Sequence, residues 1–249
     1  MVAHLYLSPH LDDAVFSCGG LMAMQDARGE PISVLTVFAG DPPDYRISAQ
    51  AAELHARWGK AGPPIAMRRA EDRVACARLG ASVLHLEYAD AIYRADEAGR
   101  PLYPETTDLF RTPDTGESEL MEQLEASMRE LEIPQATIYC PLGFGGHVDH
   151  RITRRAAEKL GQPLNYYADF PYAARGHTVP PELGEPSGTW RMIPVGDDAI
   201  EAWVSAIGEY QTQLSSFWED EASLYQEVRD FHDAFGGLRI MQPNIIELG

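Results

Sequence analysis

Short β-rich runs at 3–8, 32–39, 82–88, 136–141 and 164–170 alternate with segments of helical period at about 18–28, 49–59, 65–79, 118–132 and 149–161. No other feature narrows the fold as much. A strand that returns parallel to its predecessor needs a crossover, and crossovers of one hand leave few topologies. The rhythm predicts an α/β fold in which a mostly parallel sheet carries helices on both faces. With 249 residues and 45% apolar content, the chain can fill one sizeable core. We therefore expect a single domain over 1–249, with a sheet core in 1–165 and a rim with further helices in 166–249. Two helices are expected in that last part, over Asp197 to Leu214 and Glu221 to Phe235. The polar, Pro- and Gly-containing segments 89–117 and 171–190 read as a substrate-side loop and as a lid or rim.

Charge and cysteines restrict the setting. The formal net charge is -18, and Lys60 and Lys159 are the only lysines. Such a field repels nucleic acid phosphate and anionic membrane, so neither is an expected partner. Cys18, Cys76 and Cys140 form an odd set without a C-x-x-C pair, which favours reduced thiols in a cytoplasmic protein. We expect no secretion signal and no membrane span, because the chain begins without a basic, apolar leader and nowhere runs about 18 apolar residues together.

Two stretches carry chemistry. "SPHLDDAVFSCGG" (8–20) puts His10, Asp12 and Asp13 directly after the first β run. An aspartate there caps a helix in many proteins. Two adjacent aspartates beside a histidine suit a cation better, since clustered carboxylates repel unless one sits among them. Gly19 and Gly20 serve either the approach of a ligand or close helix packing. The second stretch, "GFGGHVDH" (143–150), repeats the layout after the fourth run: a glycine turn, then His147, Asp149 and His150. If the strands lie in the order 3-2-1-4, the first and fourth are neighbours where the order reverses. Both clusters then face one crevice.

On these residues the sequence resembles the PIG-L/LmbE-like family of metal-dependent de-N-acetylases. Softer echoes at 68–81, 87–94 and 209–214 extend the likeness along most of the chain. Ala14 stands where many members have glutamate. The resemblance implies a Rossmann-like fold, a zinc site made by His10, Asp13 and His150, and removal of an acetyl group from an N-acetylated amino sugar (GlcNAc-type) or its conjugate. Asp12 is then the general base, His147 steadies the oxyanion and serves the departing amine, and Asp149 orients His147. Two histidines and one carboxylate leave zinc an open position for water, and ferrous iron suits the same set. Arg68 and Asp90 match positions that contact the sugar; a surface ion pair and a turn aspartate are their plainer readings. Arg69 and Arg94 are further candidates. Trp203, Tyr210, Phe217 and Trp218 read as core or rim packing, and Cys18 as a buried helix residue. Two other readings stay open: a zinc hydrolase of another amide or ester, and a non-catalytic small-molecule-binding member of the fold. Asp12 and His147 favour catalysis, because binding alone needs neither a base nor an imidazolium.

Overall fold

The computed structural model describes residues 3–43, 47–59, 62–112, 117–131 and 136–244. Its seven strands are β1 (Ala3–Ser8), β2 (Ile32–Thr36), β3 (Ala81–His85), β4 (Ala136–Pro141), β5 (Leu164–Tyr167), β6 (Gly188–Ile193) and β7 (Leu238–Pro243). They form one sheet in the order β3-β2-β1-β4-β5-β7-β6. The first five are parallel, with Leu7 opposite Leu35 and Tyr6 opposite Tyr139; β7 runs antiparallel to β5 and β6. The expected 3-2-1-4 order is therefore present, and the chain changes direction across the sheet between β1 and β4.

The helices are α1 (Asp13–Ala27), α2 (Ala49–Trp58), α3 (Pro64–Arg78), α4 (Ser118–Glu130), α5 (Val148–Glu158), α6 (Asp197–Ile207), α7 (Gln211–Phe217) and α8 (Glu221–Phe235). Residues of α1, α3, α6 and α8 build the core on one face of the sheet, and residues of α4 and α5 build it on the other. Helix α1 is buried from Asp13 through Met22, as an apolar helix enclosed on all sides must be. The reason lies in α6. Trp203 donates its indole N–H to the carbonyls of Val15 and Phe16, at 2.9 and 3.0 Å. A Cβ on Gly19 would come 2.3 Å from the Trp203 ring, so the double glycine serves helix contact. Among the described residues no helix is long and apolar enough to cross a membrane. Cys18, Cys76 and Cys140 are free and buried.

The C-terminal part departs from the sequence reading in two ways. The expected helix from Asp197 to Leu214 is two helices, because Tyr210 leaves helical backbone (φ -82, ψ 59) while its buried hydroxyl donates to Asp72 at 2.7 Å. The expected rim also supplies sheet: β6 and β7 extend it beyond β5, and β6, with only half-buried and exposed residues, is its border strand. Both expected loops hold short helical turns, at Ala91–Tyr93, Thr106–Phe110 and Pro181–Leu183; residues 113–116 fall outside the described residues.

Candidate active site

Both motifs occupy the carboxyl edge of the parallel sheet, where an open α/β sheet presents its ligand crevice. The first leaves β1 at Ser8. The Ser8 hydroxyl accepts from the Ala14 N–H at 3.0 Å and so satisfies a free donor at the start of α1. Neither aspartate is therefore spent on capping. Asp12 makes no side-chain cap; its carboxylate lies 3.3 Å from Arg68 Nη2. Asp13 Oδ2 accepts from the His10 backbone N–H at 2.8 Å and stands 3.1 Å from His10 Nδ1 and 3.3 Å from His150 Nε2. One carboxylate oxygen thus touches an imidazole from each motif.

The second motif leaves β4 through Gly143, Gly145 and Gly146, all in left-handed backbone (φ 93, 79 and 73). A Cβ on Gly146 would meet Pro180 at 2.6 Å, so the turn needs glycine for its backbone and for its space. His147 caps α5: its Nδ1 accepts the Asp149 backbone N–H at 3.2 Å. That bond places the ring proton of neutral His147 on Nε2. The Asp149 carboxylate turns toward His10 instead. Its Oδ2 lies 3.0 Å from both His10 Nε2 and the Ala91 N–H, and its Oδ1 lies 2.6 Å from Arg94.

Asp169, which the sequence reading did not single out, follows β5 at the same sheet edge. Its Oδ1 lies 2.7 Å from His150 Nδ1, while its Oδ2 accepts from the N–H groups of Gly143 and Phe144 at 2.8 and 2.9 Å. One side chain fixes both the glycine turn and the His150 ring. The available signal was its place after a strand neighbouring β4. Tyr172, three residues on, sets its ring edge-on to His150 with centroids 6.0 Å apart.

Burial and neighbouring charge set the protonation tendencies. Burial pushes Asp12 up to about 6, against the pull of Arg68 and with help from Asp13. Burial also works against Asp13, yet His150 and His10 hold it well below the usual carboxylate range. His150 is pushed up to about 10, since Asp13 and Asp169 outweigh burial. His10 rises for the same kind of reason, with Asp90, Asp13 and Asp149 outweighing burial. His147 goes the other way: burial and the nearby His10 lower it, which matches a neutral ring accepting at Nδ1.

The donor set fits a divalent ion. His150 Nε2 is buried, faces Asp13 Oδ2 at 3.3 Å and makes no well-formed hydrogen bond among the described residues, while its Nδ1 is anchored by Asp169. A ligating imidazole is held in this way, one nitrogen fixed by a carboxylate and the other left for the metal. The rings of His10 and His150 lie 5.4 Å apart, centroid to centroid. Ligand atoms of His10, His147 and His150 lie within 4.8 Å of one another, and so do those of His10, Asp90 and Asp149.

The cleft above these groups has a volume of about 250 Å³. Arg68 is buried in its wall, so its bond to Asp12 is no surface ion pair. Its guanidinium lies over Trp58 at 4.7 Å, and the Gln213 amide, in the orientation that satisfies its neighbours, accepts from Arg68 Nε and Trp58 Nε1 at 3.2 Å each. Asp90 is at once a turn aspartate, accepting from the Ile92 N–H at 3.1 Å, and a site residue 3.8 Å from His10 Nε2. Leu54, Trp58, Leu109, Phe110 and Phe217 form the apolar part of the lining. Arg69 points away, to Ala39 O and Asp41 at 2.8 and 2.7 Å.

Residues 5–160 match the family of GlcNAc-PI de-N-acetylases, PIG-L, over more than half of the chain. The chain belongs to the PIG-L family. Among curated proteins it is 28% identical over 240 residues to the 2'-N-acetylparomamine deacetylase of Niallia circulans, covering 88% of this chain and 84% of that protein. Among solved structures it is similar to the zinc-inhibited form of teicoplanin deacetylase, with a TM-score of 0.83, 26% identity and 97% of each chain covered. It is also similar to the A40926 pseudoaglycone deacetylase, with a TM-score of 0.74, 31% identity, and 97% of this chain and 96% of that one covered. These PIG-L relatives are deacetylases, and the likeness to them extends over nearly the whole fold.

Proposed function

We propose that this PIG-L protein is a metal-dependent de-N-acetylase that removes the acetyl group from an N-acetylated amino sugar carried on a larger conjugate. The observation that carries this reading is Asp13 Oδ2 lying against imidazoles of both motifs, with Asp12 free of any capping role beside it. The relatives are deacetylases of 2'-N-acetylparomamine, of teicoplanin and of A40926 pseudoaglycone, and an N-acetylated amino-sugar conjugate is the proposed substrate. Buried free thiols accord with a cytoplasmic setting.

His10, Asp13 and His150 would hold the ion, with zinc or ferrous iron suited to two imidazoles and a carboxylate. A divalent ion there supplies Lewis acidity, polarising an amide carbonyl and acidifying water. Asp12 then takes the proton of the attacking water as general base. Its pair with Arg68 aims the carboxylate across the cleft and keeps it charged near neutral pH. His147, whose Nδ1 is occupied by the Asp149 N–H, offers its Nε2–H to the oxyanion formed as the carbonyl is attacked. Arg68 and Asp90 line the cleft beside these groups and would take sugar hydroxyls, while Trp58 and Phe110 give it flat apolar surface.

Acetate release from N-acetylglucosamine conjugates, 2'-N-acetylparomamine and simple acyl amides tests the reading. Wild type is expected to turn over the amino sugars, and Asp12→Asn to lower kcat by about 10²–10⁴-fold with the metal still bound. Unchanged turnover in that variant would remove Asp12 from the reaction. Turnover of the simple amides alone would remove the sugar.

A further inference from the structure

Arg94 and Glu117 are buried charges that the reaction described above does not use. Arg94 follows the helical turn Ala91–Tyr93, and Glu117 immediately precedes α4, so the pair ties an early part of the long loop between β3 and α4 to its far end. Arg94 Nε lies 2.6 Å from Glu117 Oε1, and Nη1 lies 2.6 Å from Asp149 Oδ1 and 3.2 Å from the Ala89 carbonyl. The guanidinium is also held over Phe38 and Tyr103, at 5.2 and 5.4 Å from the ring centroids. The side chains of Arg94, Glu117 and Asp149 are 9%, 2% and 0% exposed.

The line of charge continues into the site. Asp149 divides its two oxygens: Oδ1 faces Arg94, while Oδ2 faces His10 Nε2 and the Ala91 N–H. The opposite nitrogen of the same imidazole, Nδ1, faces Asp13. Asp149 and Asp13 therefore hold the His10 ring between them, and Arg94 holds the Asp149 carboxylate from the far side.

Stability alone is a poor explanation for this row. A buried ion pair rarely outperforms a well-packed apolar substitute, because both charges lose their water. Moreover, these are close ion-pair contacts rather than well-formed hydrogen bonds: Arg94 Nε and Nη2, both Glu117 oxygens and Asp149 Oδ1 all lack a well-formed hydrogen bond among the described residues. A buried row that an apolar substitute could replace without loss of stability, and that ends on an imidazole of the site, fits the role of orienting that imidazole.

We infer that Arg94, seated by Glu117, is a positioning residue that fixes the Asp149 carboxylate and through it the His10 ring for holding the divalent ion. The inference rests on His10 being a ligand in the proposed deacetylase site. Groups behind a ligating histidine typically affect metal affinity or activity by about 10–100-fold.

The test uses zinc alone as probe, titrated into metal-stripped protein against a competing indicator, with kcat and KM measured in parallel. Arg94→Met is expected to weaken zinc binding by about 10–100-fold and to lower kcat while KM holds. Arg94→Lys should restore part of both, because a point charge still faces Asp149 but cannot serve two carboxylates in one plane. Glu117→Gln should act in the same direction and more weakly. Wild-type zinc affinity in a folded Arg94→Met protein overturns the inference. Should that variant fail to fold, wild-type affinity in both Arg94→Lys and Glu117→Gln overturns it instead. A wild-type protein that binds zinc but releases no acetate sinks the deacetylase reading, and the zinc titrations still decide the role of Arg94.

Discussion

Asp169 shows how much rests on single side chains here. It satisfies two N–H groups of the glycine turn with one oxygen and orients His150 with the other. Asp169→Asn keeps the size of the side chain but puts an amide where two N–H groups and an imidazole all need acceptors, so at least one of them loses its partner. Zinc affinity is expected to fall by about 10–100-fold, with kcat following, and a zinc titration of the variant checks it. An unchanged affinity would mean that His150 is oriented by its packing alone. His10, Asp12, Asp13, His147, Asp149 and His150 could be found from sequence because they come in two tight clusters whose residue types repel or compete unless a site gathers them. Asp169 and Glu117 are solitary in the chain, and Arg94, a candidate from the 87–94 echo, gives no sign there of its buried partners. Their importance lies in contacts between residues far apart in sequence, and no local pattern encodes those contacts.

The pairing of α1 with α6 governs how the first motif is presented. Trp203 bonds two carbonyls of α1, and its ring lies over Gly19, so the helix that begins with Asp13 is fixed along its length. Gly19→Ala is expected to destabilise the protein by about 1–3 kcal/mol through overpacking, read as a lower midpoint in urea with an unchanged slope. A wild-type midpoint would show that α6 can move away at little cost. The parallel strands and most helices could be read from their periodicity, since strands covered on both faces and helices packed against them leave strong apolar patterns. The break between α6 and α7 could not. Its apolar period continues through the break, and what bends the chain is a tyrosine reaching a buried aspartate on α3. Strands β6 and β7 extend the sheet antiparallel, outside the βαβ rhythm, and the half-exposed residues of β6 at the border weaken its pattern.

For the molecule as a whole, a site that gathers Asp12, Asp13, Asp90 and Asp149 around three histidines balances its carboxylates only through Arg68, Arg94 and protonated imidazoles, and a bound cation would take over from the imidazoles. Zinc bound to the native chain alone, at about 1,000 times its dissociation constant, adds about 4 kcal/mol of stability. Stripping the ion with a chelator is then expected to lower the melting temperature by about 8–16 °C in a protein of this size. Loss of bound zinc without any shift would show that the carboxylates are already balanced by Arg68, Arg94 and the imidazoles. The fold class was legible because connection rules leave a βαβ chain few arrangements, whereas the walls of the cleft come from loops whose shape depends on tertiary contacts. The division of labour between strand ends and loops has a consequence for divergence. The groups proposed for the chemistry hang from strand ends and the first turns of α1 and α5, while Leu109 and Phe110 come from a separate turn between β3 and α4. A descendant can exchange that turn, and so retailor what it accepts, while inheriting its reactive centre intact.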